Sequence, residues 1–265
     1  MLNLNNISIT FNANTPDENK ALQNINLDIK KGDFITVIGS NGAGKSTLYN
    51  VIAGTLKPTS GTIMLTGDDG TQKNITNDAE FKRARYIGRI FQNPLLGTAG
   101  KMSLEDNMMI CYKKGFKGLK ISLNNKMRDF FCDQLKVLNM GLEDRLSDNV
   151  DQFSGGQRQA LTLLMAVMSK PSLLLLDEHT AALDPTNAQI VMDLTRRFAQ
   201  EYNLTVMMVT HNMQHALDYG NRLIMMNKGQ IISDITGEEK KQLTMDSIVE
   251  LFKKIKVNND NVMLN

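Results

Sequence analysis

Apolar side chains recur at Leu2, Leu4, Ile7 and Ile9, with Phe11 next, and this pattern predicts a strand over residues 2–10. The polar stretch 12–20, containing Pro16, predicts a hairpin-type loop, and Leu22, Ile25, Leu27 and Ile29 predict a second strand. An antiparallel β element is therefore expected before the rest of the chain. The turn Lys31-Gly32-Asp33 leads into the apolar strand Phe34-Ile35-Thr36-Val37-Ile38, and a helical pattern follows at 47–53. A turn at 57–61, a strand at 62–66, a turn at 67–70, a short helix at 78–85 and a strand at 86–91 come next. That last strand carries Arg89 inside it and ends at Gln92-Asn93-Pro94, where Pro94 disfavours further pairing.

Between residues 95 and 151 the pattern becomes helical. Stretches at 103–112 and 123–140 flank a basic, glycine-containing segment, 113–120, and read together as a helical insertion. Met127, Phe130, Phe131, Leu135 and Leu138 fall near one face of the second stretch. The lysines at 113, 114, 117 and 120 read as a solvated loop, with contact to phospholipid head groups or a partner as the alternative. Then follow a helix at 158–169, the buried strand Leu173-Leu174-Leu175-Leu176, a helix at 186–202 and an apolar strand at 204–209. A helix at 213–218, a hairpin of 222–226 and 230–233 around Asn227-Lys228-Gly229, one amphipathic helix at 238–255 and a frayed Asn-rich end, 256–265, complete the chain. Strands alternating with helices predict an α/β fold with a mainly parallel, doubly wound sheet, whose ligand sits at the carboxyl ends of its strands.

Gly39-Ser40-Asn41-Gly42-Ala43-Gly44-Lys45-Ser46-Thr47 lies between a predicted strand and a predicted helix, which is the context of a phosphate-binding loop. Glycines let the backbone approach an anion closely, and the following helix N-terminus points its N–H groups at it. In this pattern Lys45 reaches the β- and γ-phosphates and the Ser46 hydroxyl ligates Mg²⁺. A second serine-glycine helix start, Ser154-Gly155-Gly156-Gln157, also suits an anion, and equally suits a plain cap. Asp177 and Glu178 end the four-leucine strand, where adjacent acids are costly without a role or partners. With the upstream loop, Asp177 is expected in the Mg²⁺ shell and Glu178 on the attacking water. Ser46, Asp177, Glu178 and His211 all fall at or just past predicted strand ends.

The composition narrows the partners. A net charge of +2 makes no case for nucleic acid, and 42% apolar with 22% charged residues is ordinary for a globular chain. The start lacks the basic and apolar regions of a signal peptide, and no apolar run approaches the ~20 residues needed to cross a bilayer. The chain reads as soluble and cytoplasmic, so a membrane role requires a partner subunit. Cys111 and Cys132 show no metal or redox spacing and read as reduced thiols.

The order of glycine loop, strand-end Gln92, helical insertion, Ser-Gly-Gly-Gln, four leucines with Asp-Glu, Leu-Asp and Thr-His resembles the ATP-binding subunit of ABC transporters over nearly the whole chain. The resemblance implies a P-loop NTPase core at 1–94 and 159–265, with a helical subdomain at 95–158 that ends in the signature motif. Residues 39–47 resemble the Walker A loop, so Ser40, Asn41, Gly42, Ala43, Gly44, Lys45, Ser46 and Thr47 are expected around ATP. Ser154, Gly155, Gly156 and Gln157 resemble the signature, with Phe153 where Leu is usual. Asp177 and Glu178 resemble Walker B and the catalytic glutamate. Gln92 resembles the glutamine that senses Mg²⁺, Asp184 the D-loop aspartate and His211 the switch histidine on the γ-phosphate. Phe11 is the candidate for stacking on adenine. His179 stands where Pro is common and should alter the turn after Glu178.

The resemblance further implies two copies, or a paired ATPase subunit, closing head to tail over ATP and Mg²⁺. It implies integral membrane permease subunits docked on the interval 89–102 at the cytoplasmic face of the membrane, and indirectly an extracytoplasmic solute-binding protein. The stretches 89–99 and 177–185 are similar to an importer branch near the branched-chain amino-acid type, which includes uptake systems for aromatic amino acids. The rival reading is a soluble ABC ATPase, such as an iron–sulfur assembly factor. A P-loop kinase or GTPase leaves Ser154-Gly155-Gly156-Gln157 and His211 unexplained.

Overall fold

The computed structural model describes residues 1–67, 69–112 and 123–262, with 254–262 described by backbone alone. Strands β1 (Leu2–Phe11) and β2 (Asn19–Ile29) pair antiparallel, Leu2 opposite Ile29 and Phe11 opposite Asn19. Asn6 and Asn24 adopt left-handed backbone (φ 50° and 49°) where this ladder shifts register, and the Asn26 side chain exchanges hydrogen bonds with Asn6. With β4 (Ser60–Thr66) and β5 (Gln72–Asn74) they form a four-stranded antiparallel sheet, ordered β2-β1-β4-β5.

The second sheet comprises β3 (Phe34–Gly39), β6 (Ile87–Ile90), β7 (Leu173–Asp177), β8 (Thr205–Val209), β9 (Arg222–Asn227) and β10 (Gln230–Thr236). Its order is β10-β9-β3-β8-β7-β6, parallel throughout except for the β9–β10 hairpin. The helices are α1 (Lys45–Ala53), α2 (Glu80–Arg83), α3 (Leu104–Tyr112), α4 (Asn125–Lys136), α5 (Gly155–Met168), α6 (Pro185–Glu201), α7 (Met213–Asp218), α8 (Gly237–Lys241) and α9 (Met245–Val262).

The period of two along each central strand divides the core. Leu173 and Leu175 join the cluster around α1 between the two sheets, while Leu174 and Leu176 join the cluster beneath α3–α6. Met207 and Val209 against Val206 and Met208 repeat the division in β8. A strand buried on both faces must be apolar at every position, which is why Leu173–Leu176 carries no polar side chain. A smaller cluster lies under α7 and α9. Arg83 is buried and donates to the carbonyls of Val51 (2.7 Å), Ile52 (2.8 Å), Asp78 (2.9 Å) and Thr76 (2.9 Å), so it satisfies the carboxyl end of α1.

The fold departs from the sequence expectation at four places. The single helix expected at 238–255 is two, α8 and α9, because Thr244 and Ser247 cap a new helix start reciprocally. Strand β5 is additional and pairs with β4. Helix α4 is shorter than 123–140: Asn124 accepts from the Met127 N–H at its start, and Asn139 turns left-handed (φ 53°) past its end. Helix α5 starts at Gly155 rather than 158, so a division at 158/159 falls inside it. The expected basic loop at 113–120 lies outside the described residues. Among those described, no helix is long and apolar enough to cross a membrane.

Candidate functional site

Strand β3 ends at Gly39, and the chain loops through 40–44 into α1. Gly44 has φ +98°, and a Cβ there would lie 2.6 Å from the Ala21 carbonyl oxygen, so the entry into α1 requires glycine. Lys45 is buried, and its Nζ donates to the carbonyls of Gly39 (2.8 Å) and Ser40 (3.0 Å). Burial lowers its pKa, opposed by the nearby charges of Glu178 and Asp177.

The parallel register places Asp177 opposite Val209, so the residues just past β7 and β8 are neighbours. Glu178 has a left-handed backbone (φ 47°), fixed by its N–H on the Val209 carbonyl (3.2 Å) and its carbonyl on the Ala181 N–H (2.9 Å). Its Oε1 is 2.5 Å from Nε2 of His211. A cavity of about 260 Å³ is lined by Phe11, residues 41–47, Glu178 and His211, which gathers residues from four separate parts of the chain. Ser40 lies just behind, with His211, in a smaller hollow that Phe252 of α9 also lines.

Asp177 is flanked by the Arg89 guanidinium at 3.7 Å, which stacks on the Phe91 ring 4.5 Å away. Burial raises the Asp177 pKa; Arg89 lowers it, Glu178 raises it and Lys45 lowers it. Arg89 Nε and the Tyr49 hydroxyl are both buried without a hydrogen-bond partner in this neighbourhood, which leaves room for a hydrated cation to complete it. The oxygen donors of Ser46, Asp177 and Gln92 suit a hard divalent cation. Among the described residues no cluster of three or more His, Cys, Asp or Glu could hold a metal alone. The set therefore fits Mg²⁺ that shares its coordination with phosphate.

Gln92 is exposed past β6 and lines neither hollow. Ser154, Gly155, Gly156 and Gln157 are also away from the Phe11 cavity. They form a capping box at the start of α5: Ser154 Oγ accepts from the Gln157 N–H (3.2 Å), and Gln157 Oε1 accepts from the Ser154 N–H (3.0 Å). A Cβ on Gly156 would lie 2.5 Å from Asn187 Oδ1, so this helix start packs tightly on α6. Asp184 caps α6 and accepts from the Asn187 N–H (3.1 Å) and side chain (2.6 Å); these bonds lower its pKa. Within one chain, the Ser154–Asp184 region and the Lys45–Glu178–His211 region are thus two separate surfaces.

Sequence reasoning did not assign Tyr49 or Asn187, whose spacing looks like ordinary helix, and it read Arg89 only as part of a docking interval. The charged residue inside an otherwise apolar strand was the available signal for Arg89. His179 is buried, its Nε2 3.1 Å from Thr195 Oγ1, and burial pushes its pKa down to about 3.

Residues 22–181 match the protein-family model described as ABC transporter. The chain is 43% identical to a tyrosine transport ATP-binding protein of Clostridioides difficile, over 95% of this chain and 98% of that one. It is 31% identical to a phosphonates import ATP-binding protein of Lactococcus lactis, over 94% and 98%. The dimeric ATP-binding cassette MJ0796 in a post-hydrolysis state with ADP and Pi superposes with a TM-score of 0.70 at 28% identity, over 89% of this chain and 98% of that one. CbiO1 of Clostridium perfringens, described as part of the ABC transporter complex CbiONQ, superposes with a TM-score of 0.73 at 25% identity, over 100% and 98%.

Proposed function

The chain belongs to the ABC transporter family as a subunit that binds and hydrolyses ATP to drive transport, and we propose that it powers uptake of an aromatic amino acid through separate membrane subunits. The observation that carries the chemistry is the convergence of residues 41–47, Glu178 and His211 on one cavity. The relative that transports tyrosine supports the substrate class, and the relative named for phosphonate import supports the direction.

In this reading the 41–47 backbone and Lys45 bind the ATP phosphates, and Phe11 stacks on adenine. Ser46, Asp177 and Gln92 hold Mg²⁺, which supplies charge neutralisation on the phosphates. Glu178 accepts a proton from a water whose oxygen attacks the γ-phosphorus. The bond to the β–γ bridging oxygen breaks, and ADP and phosphate leave. His211, 2.5 Å from one Glu178 oxygen, orients the carboxylate and leaves its other oxygen for the water. Ser154, Gly155, Gly156 and Gln157, with Asp184, face the ATP of a second copy, since they form a surface apart from their own chain's loop. ATP then joins two copies head to tail.

The segment 95–158 acts as the helical subdomain that passes closure to a permease at the cytoplasmic face of the membrane. Leu95 and Leu96 lie exposed (51% and 66%) on the short turn Pro94–Gly97 within the docking interval 89–102. A solute-binding protein outside the cell would deliver the amino acid to that permease. The test is affinity purification of tagged Glu178→Gln from native membranes with ATP. Recovery of a multi-span permease supports the reading, and recovery of soluble partners alone from a fully extracted membrane overturns it.

A further inference from the structure

The largest cavity is remote from the nucleotide site. It has a volume of about 860 Å³ and shares no lining residue with the 260 Å³ hollow around Lys45. It lies where β7 and β8 begin, at Ser172 and Leu204–Thr205, whereas Asp177 and His211 lie at the opposite ends of those strands. Its walls come from the antiparallel sheet on one side and from α3, α4 and the end of α5 on the other.

Two features of the lining are chemically specific. Four aromatic rings face it: Tyr86, Tyr112, Phe130 and Tyr202. Tyr112 and Phe130 form one wall, with ring centroids 5.1 Å apart at 50°, and Tyr202 belongs to a different helix end, where it packs on Phe198 at 6.0 Å. Tyr112 and Tyr202 remain 40% and 50% exposed, so their rings are presented to solvent rather than spent on the core. The second feature is charge. Among the described lining residues the charged side chains are Lys31 and Lys170, and no carboxylate is present. This bias occurs in a chain with almost balanced totals, 30 basic and 28 acidic residues.

We propose that this cavity is a binding site for a small aromatic carboxylic acid. A volume of this size suits a small organic ligand, and half-exposed rings around a concavity offer offset or edge-to-face contacts to an aryl group. Lysine at the rim suits the carboxylate. The absence of an acidic side chain among the described lining residues sets the class further: a zwitterionic amino acid brings an ammonium that meets no carboxylate here. An aryl acid without an amino group fits better than the amino acid with the same ring. The site is independent of the transported substrate assigned above.

The probe is 4-hydroxyphenylacetate, titrated into the full-length protein labelled with ¹³C at the methionine methyls, because Met168 lines this cavity and no methionine lines the nucleotide hollow. The expected result is a saturable shift of the Met168 methyl that ATP does not displace. Tyr202→Ala and Lys170→Glu should each weaken binding about tenfold or more, with nucleotide affinity unchanged as the control for folding, and L-tyrosine should bind more weakly than the probe. Absence of a saturable Met168 shift overturns the proposal, as does displacement by ATP or equal binding by both variants. L-tyrosine binding as tightly as the probe overturns the assigned ligand class.

Discussion

His211 Nε2 lies 2.5 Å from Glu178 Oε1, although the two residues belong to different strand ends. The cause is register. Asp177 is opposite Val209 in the parallel β7–β8 pair, so the first residues beyond the ladder must pass each other. The left-handed turn at Glu178 directs its side chain to that side.

His211→Ala should therefore lower ATP turnover about 10²-fold or more, because an unheld carboxylate samples many rotamers before it meets the water. Nucleotide affinity should change little, since residues 41–47 are untouched. Steady-state hydrolysis with a fluorescent-nucleotide titration checks both; near-wild-type turnover would remove His211 from the mechanism.

Ser154→Arg should abolish ATP-driven dimerisation in a Glu178→Gln background while monomer nucleotide binding persists. The substitution also removes a helix cap worth ~1 kcal/mol, too little to unfold a domain of this size. Light scattering with and without ATP reads the result, and a dimer that survives contradicts the head-to-tail arrangement.

Arg83→Met should destabilise the fold by about 2–4 kcal/mol, because four buried carbonyls lose their charged donor at once. Nucleotide binding near Lys45 should survive in the folded fraction, since α1 is anchored at its other end. Urea denaturation is the measurement, and a loss below ~1 kcal/mol would assign those carbonyls to water.

Lys240 gives a pH signature. Its Nζ is buried and donates to the carbonyls of Leu217, Tyr219 and Gly220, closing the end of α7, while burial pushes its pKa down to about 8. Between pH 8 and the unfolded value near 10.5 the unfolded chain binds the extra proton, so stability rises with pH across that window. The ceiling is ~1.4 kcal/mol per pH unit for a full titration difference, and the three carbonyls, which favour the charged form, hold the real slope below it. Wild type should gain on Lys240→Met as pH climbs from 8 to 9.5 in urea midpoints; parallel curves would contradict the assignment.

Much of the fold was legible in the sequence because each central strand is buried on both faces and so appears as an unbroken apolar run. Leu173-Leu174-Leu175-Leu176 and the 204–209 stretch could hardly be anything else. The glycine loop was legible because Gly44 cannot be replaced where the chain passes the Ala21 carbonyl. The break at Thr244 was not, since a threonine within an amphipathic repeat becomes a cap only when Ser247 bonds back to it. Nor was the Arg89–Asp177 pair, which depends on β6 lying beside β7 in register; Arg89 opposite Leu175 is a tertiary fact. The separation of Ser154 from the Lys45 loop is also tertiary, and it is what makes one chain half of two sites.

The most direct test of the account is ATP turnover and oligomeric state of Glu178→Gln measured on the same sample. The account predicts that turnover falls by ~10² or more while ATP still binds and a stable dimer accumulates, because the phosphate loop and the Ser154 surface are intact and only the proton acceptor is gone. Turnover at the wild-type rate would contradict the role of Glu178, and loss of turnover with no ATP-dependent dimer would contradict the two-surface site.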